Sequence, residues 1–149
     1  MNSVKTRVYT RVAKWYNLVA LTLISAASIL GIISTLTLSI INSVEFDLAF
    51  TLEMFRLGTM AVTGIISIFG IAQEKKWAKW FAVFTYGICL FGVTEGLISS
   101  FSSAYYLFIS SSVILALRIS RLVIITLCLL GIVLLFLKTR SGDNSEERE

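Results

Sequence analysis

LVALTLISAASILGIISTLTLSII, residues 18–41, contains no Asp, Glu, Lys or Arg. As an α-helix rising about 1.5 Å per residue it is about 36 Å long, more than the ~30 Å hydrocarbon core of a bilayer. An unbroken apolar run of this length reads as a membrane-spanning helix, since barrel strands are shorter and alternate. Residues 52–72, 80–100 and 113–137 form three further runs long enough to cross. The last is interrupted by Arg118 and Arg121, and its charge-free part, 122–137, crosses only with tilt or local thinning. The expected fold is an all-α integral membrane protein, a single four-helix transmembrane bundle over residues 1–149.

Composition agrees. The mean hydropathy is +0.85 and 56% of residues are hydrophobic, while 15% are charged. A soluble domain carries about a quarter. Histidine and proline are both missing from the 149 residues. Without His, ligation of haem by histidine and a His-based proton relay are excluded. Two cysteines are too few for an iron–sulfur cluster or a four-thiolate zinc site. No cofactor or metal is expected. The lack of proline removes the commonest cause of a helix kink, so the helices should be straight.

Cations set the orientation. Lys5, Arg7, Arg11 and Lys14 precede the first run, Lys75, Lys76 and Lys79 lie between the second and third, and Lys138 and Arg140 follow the fourth. Glu45, Asp47 and Glu53 gather on the other side. Positive residues favour the cytoplasm, so both termini are expected there, in the cell membrane. Trp15, Trp77 and Trp80 mark that interface, and Tyr105 and Tyr106 the opposite one. Residues 1–14 read either as a surface helix with Val4, Val8 and Val12 on one face or as a basic tail. The basic start could also open a signal peptide, but the apolar run continues to Ile41 and reads as a retained anchor. Residues 141–149 are polar and acidic and should be mobile.

An offset of 65 residues brings the halves into gapless correspondence. Ala13-Lys14-Trp15-Tyr16 falls on Ala78-Lys79-Trp80-Phe81, Gly31 on Gly96, and Arg56-Leu57 on Arg121-Leu122. This reads as two parallel helical-hairpin repeats. Small residues line Ala27, Gly31, Thr35 and Ser39, and at the same offset Gly92, Gly96, Ser100 and Ala104. Such stripes let membrane helices approach closely, so the first and third helices are expected to pack through Gly31 and Gly96.

Charges inside the runs are the candidate site. Glu95 lies about 22 Å along its helix from Trp80, and Arg121 about 26 Å from Lys138. A charge in hydrocarbon costs several kcal/mol unless paired or wetted. The expected arrangement is therefore a buried ion-pair cluster of Glu53, Arg56, Glu95, Arg118 and Arg121. Glu95 is expected to pair with Arg121, with Arg118 and Arg56 as alternatives. The cluster either binds an anion, a lipid headgroup or a coupling ion, or fixes helix register, and the structural role is preferred. Cys89 and Cys128 lie at similar depth and read as small buried hydrophobes. The hydroxyl residues have no histidine to act as base, so no nucleophile site is expected.

The functional expectation is a non-catalytic accessory, assembly or scaffold subunit, partnered by the bilayer and by other membrane proteins or itself, with no nucleic acid. The alternative is a small transporter, channel or lipid-binding protein using the charged cluster.

Overall fold

In the computed structural model, backbone is described for residues 2–42, 47–101 and 111–146, and side chains for 11–41, 47–101 and 112–136. Four helices follow in order: α1 (Asn2–Asn42), α2 (Leu48–Ala72), α3 (Ala78–Ser99) and α4 (Ser111–Glu146). Each holds a segment long and apolar enough to cross a membrane: Arg11–Ile41, Leu48–Ala72, Ala78–Ser99 and Ser112–Phe136. The apolar runs of the sequence fall within these segments, extended by a few residues at most ends. Two terminal segments continue the helices. The basic start, read as a helix or a tail, is the first turns of α1 itself, because no Gly or Pro interrupts residues 2–30 and the helix has nothing to break it. The polar stretch 141–146 continues α4 as helix, since elongating an existing helix needs no new nucleus. Residues 147–149 lie outside the described part, as do Tyr105 and Tyr106.

Neighbouring helices run antiparallel around a ring, α1–α2–α3–α4 and back to α1, while α1 and α3 face each other across the diagonal. The turns explain the handover between α2 and α3. Lys75 N–H donates to Gly70 C=O at 2.9 Å and Glu74 N–H to Ile71 C=O at 3.1 Å, the paired bonds of a Schellman C-cap. That cap needs a left-handed residue, and Glu74 supplies it at φ 58°. Lys14 of α1 braces it, donating to Ala72 C=O at 3.3 Å and pairing with Glu74 at 2.8 Å. Gly70 lets Trp77 and Ala78 fold back tightly, because a Cβ there would lie 2.6 Å from that of Ala78. At the far end Asp47 caps α2, accepting from Phe50 N–H at 2.7 Å.

The core is centred on Leu21, Ile71, Ala78, Ala82, Tyr86, Cys89 and Cys128. One stretch of α3, residues 85–89, reaches all three other helices. Thr85 Oγ1 donates to Thr63 Oγ1 of α2 at 2.8 Å. Tyr86 donates its hydroxyl proton to Asn17 Oδ1 of α1 at 2.9 Å, and Asn17 Nδ2 donates in turn to Ala13 C=O. Cys89 and Cys128 of α4 place their sulfurs 3.8 Å apart. Tyr86 is fully buried, and its ring leaves α4 no room for a side chain at Gly131, where a Cβ would lie 2.7 Å from Cζ. Tyr16 Oη closes the ring from the other side, donating to Leu127 C=O at 2.7 Å.

Two measurements check this register. Asn17→Ala and Tyr86→Phe, combined in a double-mutant cycle of thermal stability in detergent, should show coupling of about 0.6–2 kcal/mol, the range for hydrogen bonds between membrane helices. Strictly additive losses would place the two side chains apart. A membrane-permeant thiol oxidant should cross-link Cys89 to Cys128 within one chain, read as a loss of two alkylatable thiols after denaturation. Persistence of both thiols would mean α3 and α4 meet in another register.

Candidate functional site

The charged side chains cluster at the end of the bundle opposite the termini, and Glu95 meets one of its alternative partners instead of the preferred Arg121. Arg56, one helical turn after Glu53 on α2, sits between two carboxylates. Its Nη2 lies 2.6 Å from Glu53 and its Nη1 3.1 Å from Glu95 of α3. The Glu95 partner is thus Arg56 and not Arg121. Nor is Glu95 buried within the chain: its side chain is 63% exposed, against 26% for Arg56. The guanidinium occupies the interhelical space and the carboxylate reaches it from the rim.

Arg121 and Arg118 of α4 turn instead to backbone. Arg121 Nη1 donates to Gly96 C=O. Arg118 Nη2 donates to Ser100 C=O at 2.7 Å, its Nε reaches Ser100 Oγ at 3.4 Å, and its guanidinium stacks 4.0 Å from the Phe101 ring centroid. Both acceptors belong to the last turn of α3 or its cap. Gly96 C=O also accepts from Ser100 N–H at 3.1 Å and Ser99 Oγ at 2.9 Å, so Arg121 is an additional donor to it. Helix C-termini carry a partial negative charge, so cations there are favourable, and the two arginines of α4 sit at the end of a neighbouring helix.

The glycines of α3 make this possible. A Cβ on Gly92 would lie 2.8 Å from Arg56 Cζ, and one on Gly96 would lie 3.2 Å from Arg121 Cζ. The planar guanidinium groups therefore rest on bare helix backbone, one approaching from α2 and the other from α4. This corrects the expected packing of α1 on α3 through Gly31 and Gly96. Gly31 instead faces the methyls of Leu57 on α2, at 3.4 Å from a built Cβ, and Ala27 is exposed. Thr35 is half-buried and Ser39 buried on α1, where Ser39 donates to Thr35 C=O at 2.9 Å. The physical reason is topology: short antiparallel connections make α1 and α3 diagonal, and the diagonal is filled by Tyr86. Ser100 is buried, holding its hydroxyl to Leu97 C=O at 2.6 Å, and Ala104 lies outside the described residues. The close approach of α1 to α2 occurs at Gly64, where a Cβ would collide with the Ser25 hydroxyl.

The interior contacts of Asn17, Tyr86, Thr63 and Thr85 were not singled out in the sequence. Tyr86 carried a signal, being a phenol inside an otherwise apolar run, where a polar group needs a partner, and Asn17 directly precedes such a run. Among the described residues no group of three or more His, Cys, Asp or Glu is placed to hold a metal. No protein-family model matches the chain, and neither a curated protein nor a solved structure does.

The pairing predicts a specific pattern of rescue. Arg56→Leu strands two carboxylates and should lower thermal stability in detergent, and adding Glu95→Gln should recover part of that loss. Glu95→Gln should give no rescue of Arg121→Leu, whose contact is the Gly96 carbonyl and not a carboxylate. Rescue of Arg121→Leu with additivity at Arg56 would reverse the assignment.

Proposed function

We propose that the chain is a multi-pass protein of the cell membrane, with both termini cytoplasmic, that acts without catalysis as an accessory, assembly or scaffold subunit by binding other membrane helices. Two hairpins, α1–α2 and α3–α4, are the repeats of this design. In support of the repeat, the Gly31–Leu57 contact of the first hairpin and the Gly96–Arg121 contact of the second involve positions related by the offset of 65 to within one residue. The basic segments at one end of the bundle support the orientation.

The observation that carries the subunit reading is how the charges are spent. Arg56 is taken by Glu53 and Glu95, and Arg118 and Arg121 donate to the end of α3, so these three arginines join helices of the bundle. What remains outward is apolar. On α4, Leu115, Ile119 and Leu122 follow one face and are each more than half exposed. Lipid covers such a face in a lone bundle, and a partner helix covers it in an assembly. One observation favours the alternative of a small transporter, channel or lipid-binding protein: the Glu95 carboxylate stays largely exposed although paired.

Purification from native membranes in mild detergent tests the proposal. A fixed, stoichiometric partner or self-assembly is expected, and Ile119→Trp with Leu122→Trp should reduce it while leaving the bundle's own Tm unchanged, since exposed substitutions cost little. A lone monomer with Glu95-dependent solute flux in vesicles would overturn the subunit reading in favour of transport. Cysteine labelling in intact cells checks orientation: a reporter at position 76 should be protected from outside and one at position 45 labelled, and the reverse would invert the topology.

A further inference from the structure

We propose that the turn between α2 and α3, with the adjoining face of α1, gathers anionic phospholipid headgroups through Arg11, Lys75, Lys76 and Lys79; the proposal rests on the membrane reading above. Local structure brings these cations together. Lys14 of α1 touches the turn, donating to Ala72 C=O and pairing with Glu74. Arg11 lies one helical turn before Lys14 on the same face, so it borders the turn as well. Lys75 and Lys76 follow Glu74 directly, and Lys79 stands in the first turn of α3, its ammonium 5.4 Å from the Trp80 ring centroid. Arg11, Lys75 and Lys76 are exposed and Lys79 is half-buried.

The described chain does not neutralise these four. Glu74 is held by Lys14, and among the described residues no carboxylate lies within ion-pair distance of Arg11, Lys75, Lys76 or Lys79. Of the acids that end the sequence, Asp143 and Glu146 lie on α4, seven and ten residues past Phe136. The Phe136 ring meets Trp80 edge-on at 6.5 Å, so both acids stand about 10 Å or more beyond the level of the turn. Two features select a lipid surface as the partner. Trp15, Trp77 and Trp80 are exposed beside the cations, and indoles settle at the headgroup level of a bilayer. The turn is also held down at that level, because the bonds from Glu74 N–H to Ile71 C=O and from Lys75 N–H to Gly70 C=O tie it to the end of α2. Lysine stems are long and flexible, so their ammonium groups reach surrounding phosphates as point charges without a fixed site. Such a ring of cations distinguishes headgroups by net charge. Phosphatidylcholine, whose choline cancels its phosphate, is attracted weakly, and a headgroup with net negative charge strongly.

The experiment uses the full chain in vesicles of phosphatidylcholine with a minority of phosphatidylglycerol. It reads the quenching of tryptophan fluorescence by acyl chains that carry bromine near the headgroup. All three tryptophans of the sequence stand at this end, so the signal reports only these surroundings. Bromine on phosphatidylglycerol should quench more than bromine on an equal amount of phosphatidylcholine, by a local preference of about threefold or more. Salt at about 1 M should remove the difference. Lys75→Gln with Lys76→Gln and Lys79→Gln should bring the preference close to parity, while the three changes to arginine should keep it. Lys76→Gln alone, in an exposed turn where substitution costs little stability, should lower it in part and decides the matter if the triple variant fails to fold. Phosphatidylserine should replace phosphatidylglycerol with equal effect, since charge and not headgroup shape is read. Equal quenching by the two labels, a preference insensitive to salt or to the glutamine variants, or one confined to phosphatidylglycerol would overturn the proposal. Brominated phosphatidylcholine reports insertion separately. Quenching by it without preference for the anionic lipid leaves the membrane reading standing, and no quenching by either label overturns both.

Discussion

Tyr86 crosses the middle of the bundle, and its hydroxyl must find an acceptor there. A phenol buried in apolar surroundings without a hydrogen bond costs several kcal/mol by transfer estimates, so the acceptor is part of the fold and not an addition to it. Asn17 provides it from α1 at 2.9 Å while satisfying its own amide on Ala13. The consequences spread outward. The ring occupies the diagonal and keeps α1 and α3 apart, which leaves them without a continuous interface. On α4 it requires a residue without a side chain, and Gly131 meets that requirement. With Thr85 and Cys89 on either side of it in sequence, the same stretch fixes the register of α2 and α4. In the proposed bilayer setting, helices gain little from burying apolar surface against one another, because lipid is equally apolar. A few directed polar contacts and close approaches can then decide an arrangement that apolar packing alone would leave open.

At the opposite end, the last turn of α3 gathers donors from its own cap and from α4. α3 stops at Ser99, and the carbonyls of Gly96, Leu97 and Ile98 accept from the Ser100 and Phe101 N–H groups. Arg121 adds a further donor at Gly96 C=O, and Arg118 reaches Ser100 C=O. Arginine suits this position better than lysine, since its planar fork holds a fixed orientation. Gly92 and Gly96 complete the arrangement by letting guanidinium planes lie against the helix. Small residues in apolar helices are usually explained by helix–helix contact. Here they admit side chains.

How much of this the sequence disclosed depends on what each feature rests on. Helix number and extent follow from hydrophobic length, a property local to each segment, and residues 18–41 alone were enough to recognise the first. That the charged residues gather at one end was also legible, because depth along a helix is set by counting. Partner choice was not. Arg56 and Arg121 occupy equivalent positions in the two halves, and no count of residues tells which of them faces Glu95. The answer depends on the rotation of α2 and α4 about their axes, which the Tyr86 and Gly64 contacts set from far along the chain. The α1–α3 packing expected from the small-residue stripes failed for the same reason: a stripe records that something approaches closely, without recording what.

The place where the two halves differ most is therefore informative. If the second hairpin were copied onto the first, Arg56 would lie over Gly31, as Arg121 lies over Gly96. Instead Leu57 covers Gly31 and Arg56 turns away to α3, where Glu95 meets it. The position equivalent to Glu95 in the first half is Leu30, which offers no charge, so nothing on α1 rewards an arginine pointing there. A single acidic residue present in one half only thus changes the role of its neighbour: the same arginine position donates to a helix end within one hairpin and ties two hairpins together in the other. Under the proposed repeat, joining the two hairpins into one bundle requires some contact that they do not share, and the Arg56–Glu95 pair is such a contact.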